Sequence, residues 1–207
     1  FGTLIALGHL FQLPEQMDEA DLAGRDPEFV IGAPEVGDEH ALEQFARQHR
    51  LTLNTLLQAA WALLLSRFSG EEDVLFGTTV SGRSAGLPGI ESMVGLFINA
   101  LPVRTRVSPD ADILSWLEAF QDQHALLRQY EYTPLVDLQG WSEVQKGSPL
   151  FESLVIFENY PMDRSLREQG QEDLMVRDVR AHELTNYPLA LIGLPGASLS
   201  IRLQYDC

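Results

Sequence analysis

Five histidines, one cysteine and 30 carboxylates are among the side chains of this 207-residue sequence suited to acid–base, nucleophilic or metal chemistry. Their spacing decides whether they can act together. The stretch HELTN, His182 to Asn186, opens like the HExxH zinc motif. That motif needs a second imidazole four residues on, so that both rings share one helix face. Asn186 stands in that place, and the segment reads as the end of a strand, so no metal site is expected. GRSAGLPG, from Gly82 to Gly89, is rich in glycine but lacks the Lys-Ser/Thr pair of a phosphate-binding loop. His124 falls on an apolar helical stripe, where a packed core histidine is the better reading. His9, His40 and His49 sit in polar or fraying contexts and read as solvated. None of these patterns completes a catalytic constellation.

Charge and cysteine usage narrow the class further. Fourteen Lys and Arg against 30 Asp and Glu give a formal charge of -16, the wrong sign for nucleic acid or an anionic membrane surface. With Cys207 alone, no intrachain disulfide or cysteine metal cluster can form, and a reducing cytoplasm fits best. The apolar opening FGTLIALGHLF is too short to span a bilayer and lacks the basic start of a signal peptide. With no initiator Met at one end and a strand pattern running straight into the other, the chain reads as a piece of something longer.

The elements that must position any site follow from hydrophobic period. Residues 1–37 are loosely patterned, with EFVIG as one short strand. Helical spacing begins at Asp38 and places Leu42, Phe45 and Ala46 on one face. Thr52 then caps TLNTLLQAAWALLLSRFSG, whose Leu53, Leu56, Leu57, Ala60 and Leu64 form a broad apolar face, and Gly70 closes it. DVLFGTTV reads as a strand, and IESMVG as one helical turn. An extended segment runs from Val94 to Val107. A second long helix is expected from a cap at Ser108, with Ile113, Leu117, Phe120, His124 and Leu127 as its stripe. TPLVDLQGW is a short helix or turn. FESLVIFENY, DLMVRDVRAHE, YPLALIGL and ASLSIRLQYD are strands, the last alternating Leu199, Ile201, Leu203 and Tyr205 on one face. Trp61 and Trp141 read as core. Long helices with strands joined by short turns predict an α/β fold, a mixed-sheet two-layer sandwich.

VGLFINALPVR, Val94 to Arg104, is the exception within this pattern. Asn99 puts an amide inside an apolar run, and Pro102 removes a backbone donor that a central strand would use. Together with TLNTLLQAAWALLLSRFSG, GTTVSGRSAGLPGIESMVG, YEYTPLVDLQGW, PLFESLVIFENYP, ELTNYPLAL and LSIRLQYD, it resembles the C-terminal half of a nonribosomal peptide synthetase condensation domain. The likeness runs in order from about residue 38, so residues 38–207 are expected to form that lobe and residues 1–37 a weakly matching segment.

The resemblance implies a chloramphenicol acetyltransferase-like lobe, one of two arranged as a V around a tunnel. Upstream and downstream peptidyl carrier proteins insert phosphopantetheine arms from the two ends, an adenylation domain lies adjacent, and an amine attacks a thioester to form an amide. It implies no bound cofactor beyond those arms, and a place in secondary-metabolite synthesis such as that of a siderophore or lipopeptide. The family's HHxxxDG signature belongs to the N-terminal lobe, and no two histidines here are adjacent, so no catalytic residue is expected in this chain. Ser81, Gly82, Arg83, Met93 and Asn99 are implied to lie at the tunnel or in the loop that floors it. Thr185, Asn186 and Tyr187 match the latch that reaches the other lobe. Beside those roles stand structural ones. Asn99 can bond neighbouring backbone, Arg83 can orient the loop through carbonyls, Arg104 can form an ion pair at a strand end, and Asn159 and Asn186 can form turns before Tyr-Pro. A non-catalytic module that only docks carrier proteins, or an epimerization domain of the same superfamily, are the alternatives. FINALPVR and FENYP look like the condensation versions of their segments.

Overall fold

The computed structural model describes residues 28–31, 36–83, 87–145, 147–158, 185–195 and 199–205. Among them six strands form one mixed sheet: β1 (Glu28–Ile31), β2 (Asp73–Val80), β3 (Asn99–Arg106), β4 (Ser153–Phe157), β5 (Leu189–Leu194) and β6 (Ser200–Tyr205). Their spatial order is β1-β6-β5-β4-β2-β3. β4 runs parallel to both β2 and β5, and the remaining pairs are antiparallel. EFVIG therefore supplies one edge, pairing Phe29 with Leu203. The expected strand DLMVRDVRAHE lies outside the described residues.

Helices α1 (Val36–Gln48), α2 (Leu53–Ser69) and α3 (Ile113–Leu127) belong to the second layer, and α4 (Leu135–Trp141) follows α3. α2 is the central one. Leu56, Leu57, Ala60 and Trp61 share one buried cluster with Leu117 and Phe120 of α3 and with Phe76, Val103, Val155, Leu191 and Ile201 of the sheet. Alternation puts those strand residues on a common face. The other face also buries Leu154, Ala190 and Ile192. Trp61 is core as expected, and its indole N–H donates to Ser153 Oγ at 3.2 Å, satisfying the one polar atom it brings inside.

The ends of α2 match their sequence signals. Thr52 Oγ1 accepts the N–H of Thr55 at 3.0 Å, and Gly70 closes the helix in the left-handed region at φ 76. Gln121 of α3 reinforces the start. Its Oε1 accepts from Thr52 N–H and Thr55 Oγ1, while its Nε2 donates to Arg50 O. Thr52→Ala is expected to cost about 0.5–2 kcal/mol in urea melts, because the freed donors lie at a partly buried helix junction. A loss under about 0.3 kcal/mol would assign the junction to Gln121 alone.

Three expectations need correction. α3 is capped by Asp112, whose carboxylate accepts from Ser115 N–H at 2.9 Å, and not by Ser108. Ser108 lies four residues upstream, before a turn through Pro109 and Asp110 that the periodicity did not separate from the helix. Trp141 is not core: as the last residue of α4 it is 74% exposed. The run from Val94 is not one strand. β3 begins at Asn99, while Val94 and Leu96 are 103% and 90% exposed. Asn99 is thus the first residue of a strand rather than the middle of one. Pro102 is accommodated because β3 is the outer strand of the sheet among the described residues, where half of the backbone donors face no described neighbour.

Candidate functional site

β2 and β3 pair as a hairpin from Asp73↔Arg106 to Val80↔Asn99. Beyond that last pair the chain leaves the sheet and returns, so residues 81–83 and 87–98 lie on a long excursion from its edge. At its outer corner Arg104 of β3 forks onto Asp73, Nε to Oδ1 at 2.9 Å and Nη2 to Oδ2 at 2.7 Å. That is the expected strand-end ion pair, and it holds the Asp73 carboxyl below the usual range. Exposed to solvent, it fixes geometry more than it stabilises.

At the base of the excursion five of the expected site residues and one unexpected residue converge. Gly82 has φ +66, a conformation that favours glycine, and a Cβ there would run into Phe97 O. The outgoing and returning backbones are therefore in contact. Arg83 Nη1 donates to Ile90 O at 2.6 Å and to Met93 O at 3.0 Å, and its guanidinium lies 4.4 Å from the centre of the Phe97 ring. Arg83 thus orients the loop through carbonyls, around the 3-10 turn Ile90–Ser92. Asn99 Nδ2 donates to the carbonyls of Glu131 and Thr133 at 3.0 and 2.7 Å. Its amide is spent on the connection between α3 and α4, which explains how a polar side chain is tolerated at the head of β3.

The residue not anticipated is Glu131. It is 5% exposed, and its Oε2 accepts the Gly82 N–H at 3.1 Å and lies 3.5 Å from Ser81 Oγ. In the sequence it sits in QYEYTP, among polar and aromatic residues with no periodic signal, so burial was not legible there. On the excursion Met93, Val94, Leu96 and Ile98 are exposed apolar side chains, as is Leu87. Tyr130, Tyr132 and Val136 are exposed as well.

Thr185, Asn186 and Tyr187 lie elsewhere. The Tyr187 ring stacks on Phe151 with centroids 5.1 Å apart, and Phe151 covers Gly77 in the middle of β2, so closely that a Cβ at Gly77 would overlap its ring. Thr185 Oγ1 donates to Tyr187 O at 3.2 Å, Asn186 is exposed, and burial pushes the Tyr187 phenol up. Along β2 that cluster is separated from the base of the excursion by roughly 13 Å, four residues at strand rise. Asn159 and His182 lie outside the described residues.

One pattern not singled out above is Gly82-Arg83-Ser84-Ala85-Gly86, which has the G-x-S-x-G spacing of a nucleophile elbow. An elbow needs a strand that turns directly into a helix. β2 leads instead into the excursion, whose only regular element among the described residues is the three-residue turn at Ile90. Ser84 itself lies outside those residues. His124 packs its ring 4.5 Å from Phe120, and its buried Nε2 has no hydrogen-bond partner. Among the described residues no group of three or more His, Cys, Asp or Glu could hold a metal ion, and no helix is long and apolar enough to cross a membrane.

A mixed sheet with helices packed on one face and a loop thrown out from the β2–β3 edge make an α/β lobe of the chloramphenicol acetyltransferase type. Matching follows that geometry along nearly the whole chain: a family model described as Condensation domain covers residues 6–207. The chain belongs to the condensation-domain family of nonribosomal peptide synthetases. It is 52% identical over 166 residues to a linear gramicidin synthase of Brevibacillus parabrevis, covering 80% of this chain and 3% of that protein. It is 35% identical over 184 residues to surfactin synthase subunit 3 of Bacillus subtilis (strain 168), covering 88% of this chain and 14% of that protein. Among solved structures, that of a CT mutant aligns with a TM-score of 0.64 at 27% identity, over 75% of this chain and 36% of the other. The condensation domain from Monacolin K polyketide synthase MokA shares the fold, with a TM-score of 0.66 at 21% identity over 86% and 41%.

Proposed function

We propose that this chain, from about residue 38 to 207, is the acceptor-side lobe of an amide-forming condensation domain. The observation that carries the reading is a condensation-family match across residues 6–207 in a sequence with no adjacent histidines. In the reaction, the amine of a downstream aminoacyl thioester attacks the carbonyl of an upstream acyl or peptidyl thioester. The C–N bond forms, the C–S bond breaks, the amine gives up a proton and the upstream thiol departs. The residue that handles that proton belongs to the N-terminal lobe, which is this chain's first partner. Upstream and downstream carrier proteins, with an adenylation domain beside them, are the others, in the cytoplasm. Phosphopantetheine enters as the carriers' arm and not as a resident group.

In this reading the excursion from β2 to β3, with Ser81, Gly82, Arg83, Met93 and Asn99 at its base and turn, borders the tunnel. Four exposed apolar side chains within six residues, Met93, Val94, Leu96 and Ile98, support it, because apolar surface of that kind marks a place meant to be covered. Thr185 to Tyr187 is the latch segment, anchored to its own lobe by the Tyr187–Phe151 stack.

The test uses loaded carrier proteins and mass detection of the amide. The chain alone is expected to give no product above background, because the proton-handling histidine is absent. Joined to a lobe that carries HHxxxDG, it should turn over. Product from the chain alone, abolished by mutating His124, would overturn the assignment.

A further inference from the structure

Glu131 is a buried carboxylate that nothing in the reaction uses, and its contacts are unusually well distributed. Through Oε2 it receives the Gly82 N–H and meets the Ser81 hydroxyl, at the point where the chain leaves β2. Through its own carbonyl it receives the Asn99 amide, at the point where the chain re-enters the sheet as β3. Val80 and Asn99 are the last pair of the β2–β3 ladder. One residue thus closes the gap between the two ends of the excursion and joins both to the connection from α3 to α4.

The local alternatives are few. Gly82, at φ +66 and pressed against Phe97 O, has no side chain with which to hold itself. Beyond that point the excursion is tied internally by Arg83, which spans the turn of the buried Ile90 and lies over the Phe97 ring, while Met93, Val94, Leu96 and Ile98 are exposed and contribute little burial. At the base itself the hydrogen bonds to Glu131 set position, and Gly82 N–H has its acceptor in that side chain.

We infer that Glu131 is a positioning residue that fixes Ser81 and Gly82 against the start of β3, and so sets where the tunnel-bordering loop leaves the sheet. The functional half rests on the proposed role of that loop; the structural half does not. What Glu131 supplies is an acceptor oxygen at a given reach. A glutamine keeps that oxygen without the charge, and an aspartate keeps the charge but falls one methylene short.

The experiment is carried out in the complete two-lobe domain with Glu131→Leu, Glu131→Gln and Glu131→Asp. Its readouts are amide exchange at residues 81–83 and the kcat and KM for the loaded downstream carrier. In Glu131→Leu, exchange at Gly82 should quicken on the order of tenfold or more once its acceptor is gone. Turnover should fall about tenfold or more, with KM within about twofold, since misplacement acts on the reacting geometry rather than on docking. Glu131→Gln should stay within about threefold of wild type in both readouts, and Glu131→Asp should follow the leucine variant.

Rescue by Asp but not by Gln would overturn the inference in favour of a purely electrostatic role. Unchanged exchange in the Leu variant would overturn it outright. Should the Leu variant fail to fold, the Asp and Gln pair carries the same comparison, and equal behaviour of those two would sink the idea. A wild-type domain that makes no amide would refute the proposed function. It would leave the exchange comparison to decide the structural half.

Discussion

Leu57→Ala and Gly193→Ala are each expected to destabilise the lobe, and together to cost clearly less than their sum. Leu57 is buried on α2, and its Cδ2 lies 2.5 Å from where a Cβ on Gly193 of β5 would sit. The helix thus places a leucine knob in a hole made by a strand glycine. Emptying the knob should cost about 2–5 kcal/mol, the removed methyls plus a cavity that a packed sheet cannot close. Filling the hole with the leucine still present forces Leu57 or Phe157, 3.1 Å from the same point, off its rotamer. That should cost about 1–3 kcal/mol. In the double variant the new methyl occupies part of the vacated volume, so a coupling of about 0.5–3 kcal/mol is expected in urea melts. Strict additivity would mean that α2 does not rest on β5 at this point.

That contact shows what kind of information the sequence carries. The period of α2 marked Leu57 as core, and Thr52 and Gly70 marked the helix ends, because local backbone chemistry fixes caps. β2 could be read residue for residue, since β-branched and aromatic side chains filled it between turn residues. Which strand Leu57 meets is a fact of topology, and nothing in YPLALIGL marks its one glycine as the residue that receives it. The same limit governs the site. Asn99 and Pro102 signalled that something was unusual. The cause lay in the edge position of β3 and in carbonyls 32 and 34 residues away. Glu131 gave no signal, because a buried carboxylate and an exposed one are written with the same letter. Trp141 failed in the opposite sense. Large aromatics are usually buried, but the end of a seven-residue helix offered nothing to bury it against.

Replacing His124 with Phe should make the lobe's stability less sensitive to pH between about 6.5 and 4. Desolvation against Phe120 and the core, aided by the nearby positive charge of Arg128, holds this imidazole neutral by lowering its pKa from 6.5 to about 4. The sign follows from proton counting. Above pH 6.5 the ring is neutral in both folded and unfolded chains, and the full stability is present. As pH falls through that window the unfolded chain binds a proton and the folded one does not, so stability is lost down to about pH 4. A separation of that size corresponds to about 3 kcal/mol at the acid end. Phenylalanine fills a similar volume and sacrifices no hydrogen bond at Nε2, which has no partner to lose. The remaining acid sensitivity then comes from carboxylates such as Asp73 and Asp112, whose lowered pKa values place their titration below this window. Urea melts at pH 7.5 and 4.5 should therefore show the wild type falling by more than His124→Phe, by up to about 3 kcal/mol. Parallel curves would mean that the ring titrates at its ordinary value, open to water. The reading of a packed, chemically idle histidine would then collapse, and acid–base work in this lobe would have to be reconsidered.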